Sequence, residues 1–162
     1  VKALGAQRVT VSDVVPDAVD FARRAFGVTG VLSTTQPEDL HWPRRYELVF
    51  VLSLFSQLPR SSWSRWLMRL FDAVEPGGLL VISTHGEEAA RRQNVALDET
   101  GFFFAASSES AAIDVQEYGT AFTSEAFVRE RIAETLGSDC LMGFEPSWFW
   151  RHQDAFVLCR PA

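Results

Sequence analysis

The side chains able to do chemistry in this sequence gather where apolar runs break off. Asp13 follows Arg8-Val9-Thr10-Val11-Ser12. A carboxylate at that position of a nucleotide-binding sheet accepts hydrogen bonds from both hydroxyls of a ribose. It serves equally well as the acid that caps a helix starting near Pro16. Gln36, Glu38, Asp39 and Leu40 follow a second short run. Their acceptors suit an adenine amino group, and the bland reading is a solvated turn. Ser53, Leu54 and Phe55 follow the long run that begins at Tyr46. Small polar side chains and backbone groups emerge there beside an aromatic ring whose commoner fate is the core. His85-Gly86 closes another run, where an imidazole acts as a base, holds a substrate, or is simply a hydrogen-bonded structural histidine.

A second set lies further along. Phe102 to Phe104, Tyr118, Trp148, Phe149 and Trp150 make the second half aromatic, as a substrate lid or as a thin layer packed on a sheet. Tyr118 and His152 stand behind His85 as alternative proton acceptors. Arg44-Arg45 and Arg91-Arg92 read as solvated faces or as partners of an anionic substrate. No Ser-His-Asp triad and no phosphate-cradling glycine loop has the required spacing. Gly77-Gly78 follows Pro76 and precedes an apolar run, so it reads as a turn. Cys140 and Cys159 are not at metal-ligand spacing and read as two free thiols of a cytoplasmic chain, with no zinc site.

These positions need a scaffold of alternating strands and helices, and the hydrophobic pattern provides one. Residues 8–12 read as a short buried strand. Pro16 and Asp17 open a helix in which Ala18, Phe21, Ala22, Ala25 and Phe26 recur at helical spacing up to Gly27. Residues 30–33 are a second strand, followed by a loop through Pro43. Leu48-Val49-Phe50-Val51-Leu52 is almost continuously apolar, the signature of a parallel strand covered on both faces. Trp63, Trp66, Leu67, Leu70, Phe71 and Val74 define a helix stopped by Glu75-Pro76-Gly77-Gly78, and residues 79–83 form a further buried strand.

Such alternation with short connections predicts a doubly wound α/β fold. Beyond it, residues 87–94 read as a helix, and residues 101–104 and 117–122 as paired extended segments. Thr123 or Ser124 caps a helix ended by Gly137, and residues 141–144 and 155–159 are the last strands. No repeat or linker interrupts the chain, so it reads as one domain over 1–162, with 87–123 as a substrate-side insertion or lid.

Composition bounds the function. The chain has 162 residues, 47% hydrophobic and 22% charged, enough for a sizeable core. No window approaches the roughly 20 apolar residues of a membrane span, and no secretory signal opens the sequence. The net charge is −6, from 21 acidic and 15 basic residues without a basic stripe. Neither a membrane nor double-stranded nucleic acid is therefore expected as a partner. Nothing in the sequence specifies an oligomeric state.

The run Val9-Thr10-Val11-Ser12-Asp13, the helix after it, Glu38-Asp39-Leu40, Tyr46-Glu47-Leu48-Val49-Phe50, Ser53-Leu54-Phe55-Ser56-Gln57-Leu58-Pro59 and Glu75-Pro76-Gly77-Gly78-Leu79-Leu80-Val81-Ile82-Ser83-Thr84-His85-Gly86 resembles, in order and spacing, the class I S-adenosylmethionine-dependent methyltransferases of the small-molecule type. The likeness covers nearly the whole chain. It implies a Rossmann-like sheet of order 3-2-1-4-5-7-6, mostly parallel with an antiparallel C-terminal strand. It implies S-adenosylmethionine as cofactor and a small-molecule methyl acceptor. Position by position, Asp13 matches the ribose-binding acid, Gln36, Glu38, Asp39 and Leu40 the adenine loop, and Ser53, Leu54 and Phe55 the segment lining the cofactor crevice. Gln36 stands where many relatives carry an acid, and Gln57 where many carry His.

In the family a first strand and a glycine-rich loop precede the residues seen here, and residues 1–6 resemble the end of the helix after that loop. The expectation is therefore a fragment of a longer methyltransferase, lacking the first strand and glycine motif. It would bind cofactor weakly or not at all and, by itself, be inactive. Two other readings fit the same fold: a nicotinamide-dependent Rossmann oxidoreductase fragment whose Asp13 holds the ribose, and a non-catalytic methyltransferase-like domain.

Overall fold

A computed structural model of the chain describes residues 2–106 and 118–162. The chain divides into two compact units, Val1–Pro43 and Arg44–Ala162.

The first unit is a β-α-β element. β1 (Thr10–Asp13) and β2 (Thr29–Leu32) pair in parallel, with Thr10 opposite Thr29 and Asp13 opposite Leu32. Parallel neighbours need a crossover, and α1 (Pro16–Phe26) supplies it, with Pro16 in its first turn as expected. Val19 and Ala22 are its buried residues, and Val28 and Leu40 are buried after it. Ahead of β1 the expectation of a helix end is not met, because residues 2–4 are turns and Ala6–Arg8 is a single 3-10 turn. A second 3-10 turn, Pro37–Asp39, interrupts the predicted loop after β2.

The second unit is built on a four-stranded sheet of order β3-β4-β8-β7, formed by β3 (Tyr46–Val51), β4 (Val74–His85), β7 (Leu141–Phe149) and β8 (Gln153–Cys159). β3 and β4 run parallel, joined through α2 (Arg60–Asp72). β8 is antiparallel to both β4 and β7. The fold is thus a mixed α/β arrangement with parallel and antiparallel pairs. Between β4 and β7 come α3 (Glu87–Arg92), β5 (Phe102–Ala106), β6 (Gly119–Thr123) and α4 (Glu125–Leu136). β5 and β6 form the antiparallel pair expected from the aromatic segments. The part of the 87–123 segment between them, residues 107–117, lies outside the described residues.

Trp63, Phe55, Leu67, Leu80, Ile82, Val128, Phe156 and Leu158 are fully buried and make the core of this unit. The helical stripe predicted on α2 is therefore its packed face. Arg160 closes the C-terminal end of α2, its guanidinium donating to the carbonyls of Phe71, Asp72 and Val74 at 3.1, 3.2 and 3.1 Å. Phe71 and Asp72 belong to the last turn of α2, where carbonyls run short of helical donors, and Val74 opens β4.

Two expectations are corrected. Pro76-Gly77-Gly78 is not a turn ahead of the strand but an excursion inside it. β4 begins at Val74, opposite Tyr46, and regains register at Leu79, opposite Leu48. Gly77 has φ +76 there, and a Cβ on Gly78 would meet the Glu47 carbonyl at 2.9 Å. Only glycine accommodates both demands. Nor is β3 covered on both faces. It is an edge strand of its sheet, and Leu48 and Phe50 are 51% and 52% exposed.

Candidate functional site

In the first unit the sequence-predicted residues sit at the carboxyl end of the parallel pair. Asp13 ends β1, and its Oδ1 accepts the Val15 amide at 2.8 Å. The carboxylate therefore organises the turn before α1 without capping the helix, whose N-cap residue is Val15. Gln36 is half-buried, and its carbonyl accepts the Asp39 amide at 3.2 Å and the Thr34 hydroxyl. Glu38 and Asp39 are exposed, whereas the Leu40 side chain is buried. Any contact made by Leu40 outside the core is thus through its backbone.

In the second unit the ends of three strands converge on one polar network. Ser53, just past β3, has φ +63, a left-handed conformation uncommon for a residue with a side chain. All of its polar groups are held. Its amide donates to Ser83 Oγ at 2.9 Å, its Oγ accepts from Gln153 Nε2 at 2.8 Å, and its carbonyl accepts from Ser56 Oγ at 2.8 Å. Ser83 Oγ in turn donates to Gln153 Oε1 at 2.6 Å. Ser83 and Gln153 are buried, so these bonds form in a low-dielectric setting where unpaired groups are costly. A backbone outlier held on every side in this way points to function.

His85 joins the same network. As the last residue of β4 it lies opposite Gln153 of β8, and its Nε2 is 3.3 Å from Gln153 Nε2. Its ring lies 5.1 Å from that of Phe122 on β6 and 4.8 Å from that of His152. Burial lowers its pKa from 6.5, and the charge of His152 lowers it further. The Ala121 backbone acts weakly the other way, although Nδ1 makes no hydrogen bond of good geometry. The imidazole is accordingly neutral near pH 7.

Gly86 follows, and a Cβ there would fall 1.9 Å from Asp154 Oδ2. Asp154 is buried next to Gln153, and its Oδ1 accepts the Ser147 amide at 2.8 Å. Burial raises its pKa first of all, with Glu87 and Glu125 adding to the effect and the Ser147 bond opposing it.

The other predicted residues divide. Phe55 is fully buried, its ring 4.5 Å from that of Trp63, so its side chain is core and not crevice lining. Leu54 and Tyr118 are half-buried. The loop after β3 carries β6: Gln57 and Ser56 accept the amides of Gly119 and Ala121 at 2.8 Å each, which places Tyr118 next to that loop. Arg91 and Arg92 both pair with Glu88 on their own helix, and Arg44 lies over the Tyr46 ring. Cys140 and Cys159 are free thiols. Among the described residues no group of His, Cys, Asp or Glu has the arrangement of a metal site, and no helix is long and apolar enough to cross a membrane.

Sequence reasoning missed Ser83 and Gln153 as site residues. The available signal was His152-Gln153-Asp154, a polar triplet opening the apolar run 155–159.

No family model matches the sequence, and no curated protein is significantly similar to it. Solved structures are similar in fold. The N-methyltransferase NodS from Bradyrhizobium japonicum WM9, in complex with S-adenosylhomocysteine, aligns with TM-score 0.59 and 13% identity over 96% of this chain and 67% of its own. A 1,6-didemethyltoxoflavin-N1-methyltransferase from Burkholderia thailandensis aligns with TM-score 0.61 and 15% identity over 96% of this chain and 62% of its own. The S-adenosylmethionine-dependent methyltransferase SibL in its apo form gives TM-score 0.65 and 18% identity over 96% and 44%. The chain has the class I methyltransferase fold. It spans about two thirds of the first two methyltransferases and less than half of SibL.

Proposed function

We propose that this chain serves methyl transfer from S-adenosylmethionine to a small-molecule acceptor. The observation that carries the reading is the strained Ser53 turn. It lies at the carboxyl end of a parallel strand pair and is locked by side chains from β4 and β8. Ligands of open α/β sheets bind at those strand ends. The methyltransferase fold, with the sheet order β3-β4-β8-β7 and the antiparallel β8, supports the same reading. Set against the family order, that sheet stands for strands 4-5-7-6, and the β1-β2 pair for strands 2 and 3.

The donor set suits the cofactor. Asp13 offers a carboxylate to ribose hydroxyls at the end of β1. The loop from Gln36 to Leu40 offers amide and carboxylate groups to adenine, and in the second unit Ser53 and Leu54 follow the end of β3. When bound, S-adenosylmethionine supplies a methyl group already activated by its sulfonium. The protein's own work is then alignment, worth a large part of the barrier, with a base needed only for an acceptor that arrives protonated. His85, neutral and at the strand end, is that base, with Tyr118 and His152 as alternatives. NodS is by name an N-methyltransferase, and the Burkholderia enzyme a 1,6-didemethyltoxoflavin-N1-methyltransferase; a small acceptor is proposed here too.

The test is calorimetric titration of S-adenosylhomocysteine, with a nicotinamide dinucleotide as control. One arm uses this chain. The other uses the chain preceded by a strand and glycine-rich loop, which the edge position of β3 is suited to receive. Binding of S-adenosylhomocysteine in either arm supports the proposal, and binding in the second arm alone makes the chain a portion of a longer methyltransferase. No binding in both arms, or binding of the dinucleotide instead, overturns it. In the active arm, His85→Ala should lower kcat by roughly 10²-fold or more, the usual worth of a positioned base, with cofactor affinity nearly unchanged.

A further inference from the structure

We infer that Gln153 is a positioning residue: its side-chain amide, shared among Ser53, Ser83 and His85, keeps the His85 proton on Nδ1 and leaves Nε2 as the nitrogen able to accept one. What that nitrogen serves rests on the methyl-transfer reading; how it is held does not.

A glutamine amide has one acceptor oxygen and two N–H donors. Here the oxygen accepts from Ser83 Oγ at 2.6 Å, and the nitrogen faces Ser53 Oγ at 2.8 Å and His85 Nε2 at 3.3 Å. Which end of the amide is nitrogen follows from its neighbours. The Ala121 amide is committed to the Ser56 carbonyl at 2.8 Å. The Ala121 group that favours a protonated His85 is therefore its carbonyl, an acceptor. Ser83, whose oxygen already accepts the Ser53 amide, spends its single proton on the amide oxygen. With the amide oxygen so committed, the amide nitrogen faces His85 Nε2, which accepts from it, and the imidazole proton is left on Nδ1.

The 3.3 Å approach is the longest in the network, so it is the one that an O–H or N–H of an acceptor displaces most readily. The tautomer is held by Gln153 through this long contact, which leaves the lone pair available. Gln153 is directly opposite His85 in the β4-β8 ladder, which fixes the amide with no help from a mobile loop. The groups packed against the imidazole are Ala121 and Phe122 from β6, Gln153 from β8 and His152 from the turn before it. Of these, His152 acts on the imidazole through its charge.

The deciding experiment is nitrogen-15 histidine NMR on this chain across pH. Wild-type His85 is expected as the Nδ1–H tautomer, titrating below 6.5. Gln153→Glu replaces the N–H donors by an acceptor that pairs with a protonated Nε2, so the charged form gains and the midpoint rises at least tenfold in proton affinity. In a protein shown to transfer methyl groups, the acid limb of the kcat profile moves up with it. An Nε2–H tautomer in the wild type overturns the inference, as does a folded Gln153→Glu protein with an unmoved His85 midpoint. If that variant does not fold, the wild-type tautomer decides alone. An Nδ1–H tautomer in a protein that binds no S-adenosylhomocysteine would uphold this inference and sink the methyl-transfer reading.

Discussion

Ser53 concentrates the chemistry and the strain of the site in one residue. Its φ of +63 is a conformation in which a Cβ costs energy and a glycine does not. Its hydroxyl meanwhile anchors Gln153. Two substitutions separate these roles. Ser53→Ala and Ser53→Gly both remove the hydroxyl, and only the second relieves the backbone. Chemical denaturation should therefore find Ser53→Gly more stable than Ser53→Ala by about 1 kcal/mol, with both impaired in holding Gln153. Equal stabilities would mean that the left-handed turn carries no strain.

Helix and strand positions were largely legible because burial imposes period on sequence. The α1 and α2 helices, the parallel β1-β2 and β3-β4 pairs and the last strand are found close to where apolar spacing puts them, although α1 buries Val19 and Ala22 and leaves Phe21 and Phe26 of its predicted stripe exposed. The Ser124 cap was legible too, since its Oγ accepts the Phe127 amide at 3.1 Å. Ser124→Ala should cost about 1 kcal/mol, read as a lower denaturation midpoint with an unchanged slope. What escaped was whatever depends on partners. Glu75 to Gly78 has the residues of a turn, and only its pairing with β3 makes it an excursion within one strand. Leu48 and Phe50 read as buried because composition records hydrophobicity and not the edge position of β3. His85 and Ser53 could be picked out because each directly follows or closes an apolar run. Gln153 could not, since it reaches Ser53 across 100 positions of sequence through a register that no local pattern encodes.

Over the second unit, the response to pH is set by two carboxylates of opposite sign. Asp98 is exposed and held at about 2 by the Thr100 hydroxyl and then the Phe102 amide. Its folded pKa lies below 3.8, so the stability it adds is present above that value and is lost as pH falls through about 2. Asp154 is the reverse. Burial, with Glu87 and Glu125 nearby, raises its folded pKa above 3.8. Below 3.8 it is protonated in both folded and unfolded states and costs nothing. As pH rises the unfolded chain ionises first, and the fold pays increasingly until its own pKa is passed. Asp154→Asn keeps an acceptor for the Ser147 amide and removes the charge. It should raise Tm at pH 7 by roughly 2–4 °C, the worth of about 1 kcal/mol in a chain of this size. The two melting curves should converge below 3.8, where the wild-type carboxyl is neutral too. A gain that persisted undiminished at low pH would mean that the benefit of Asn lies in packing against Gly86 and not in the buried charge, because protonation alone would then have failed to reproduce it.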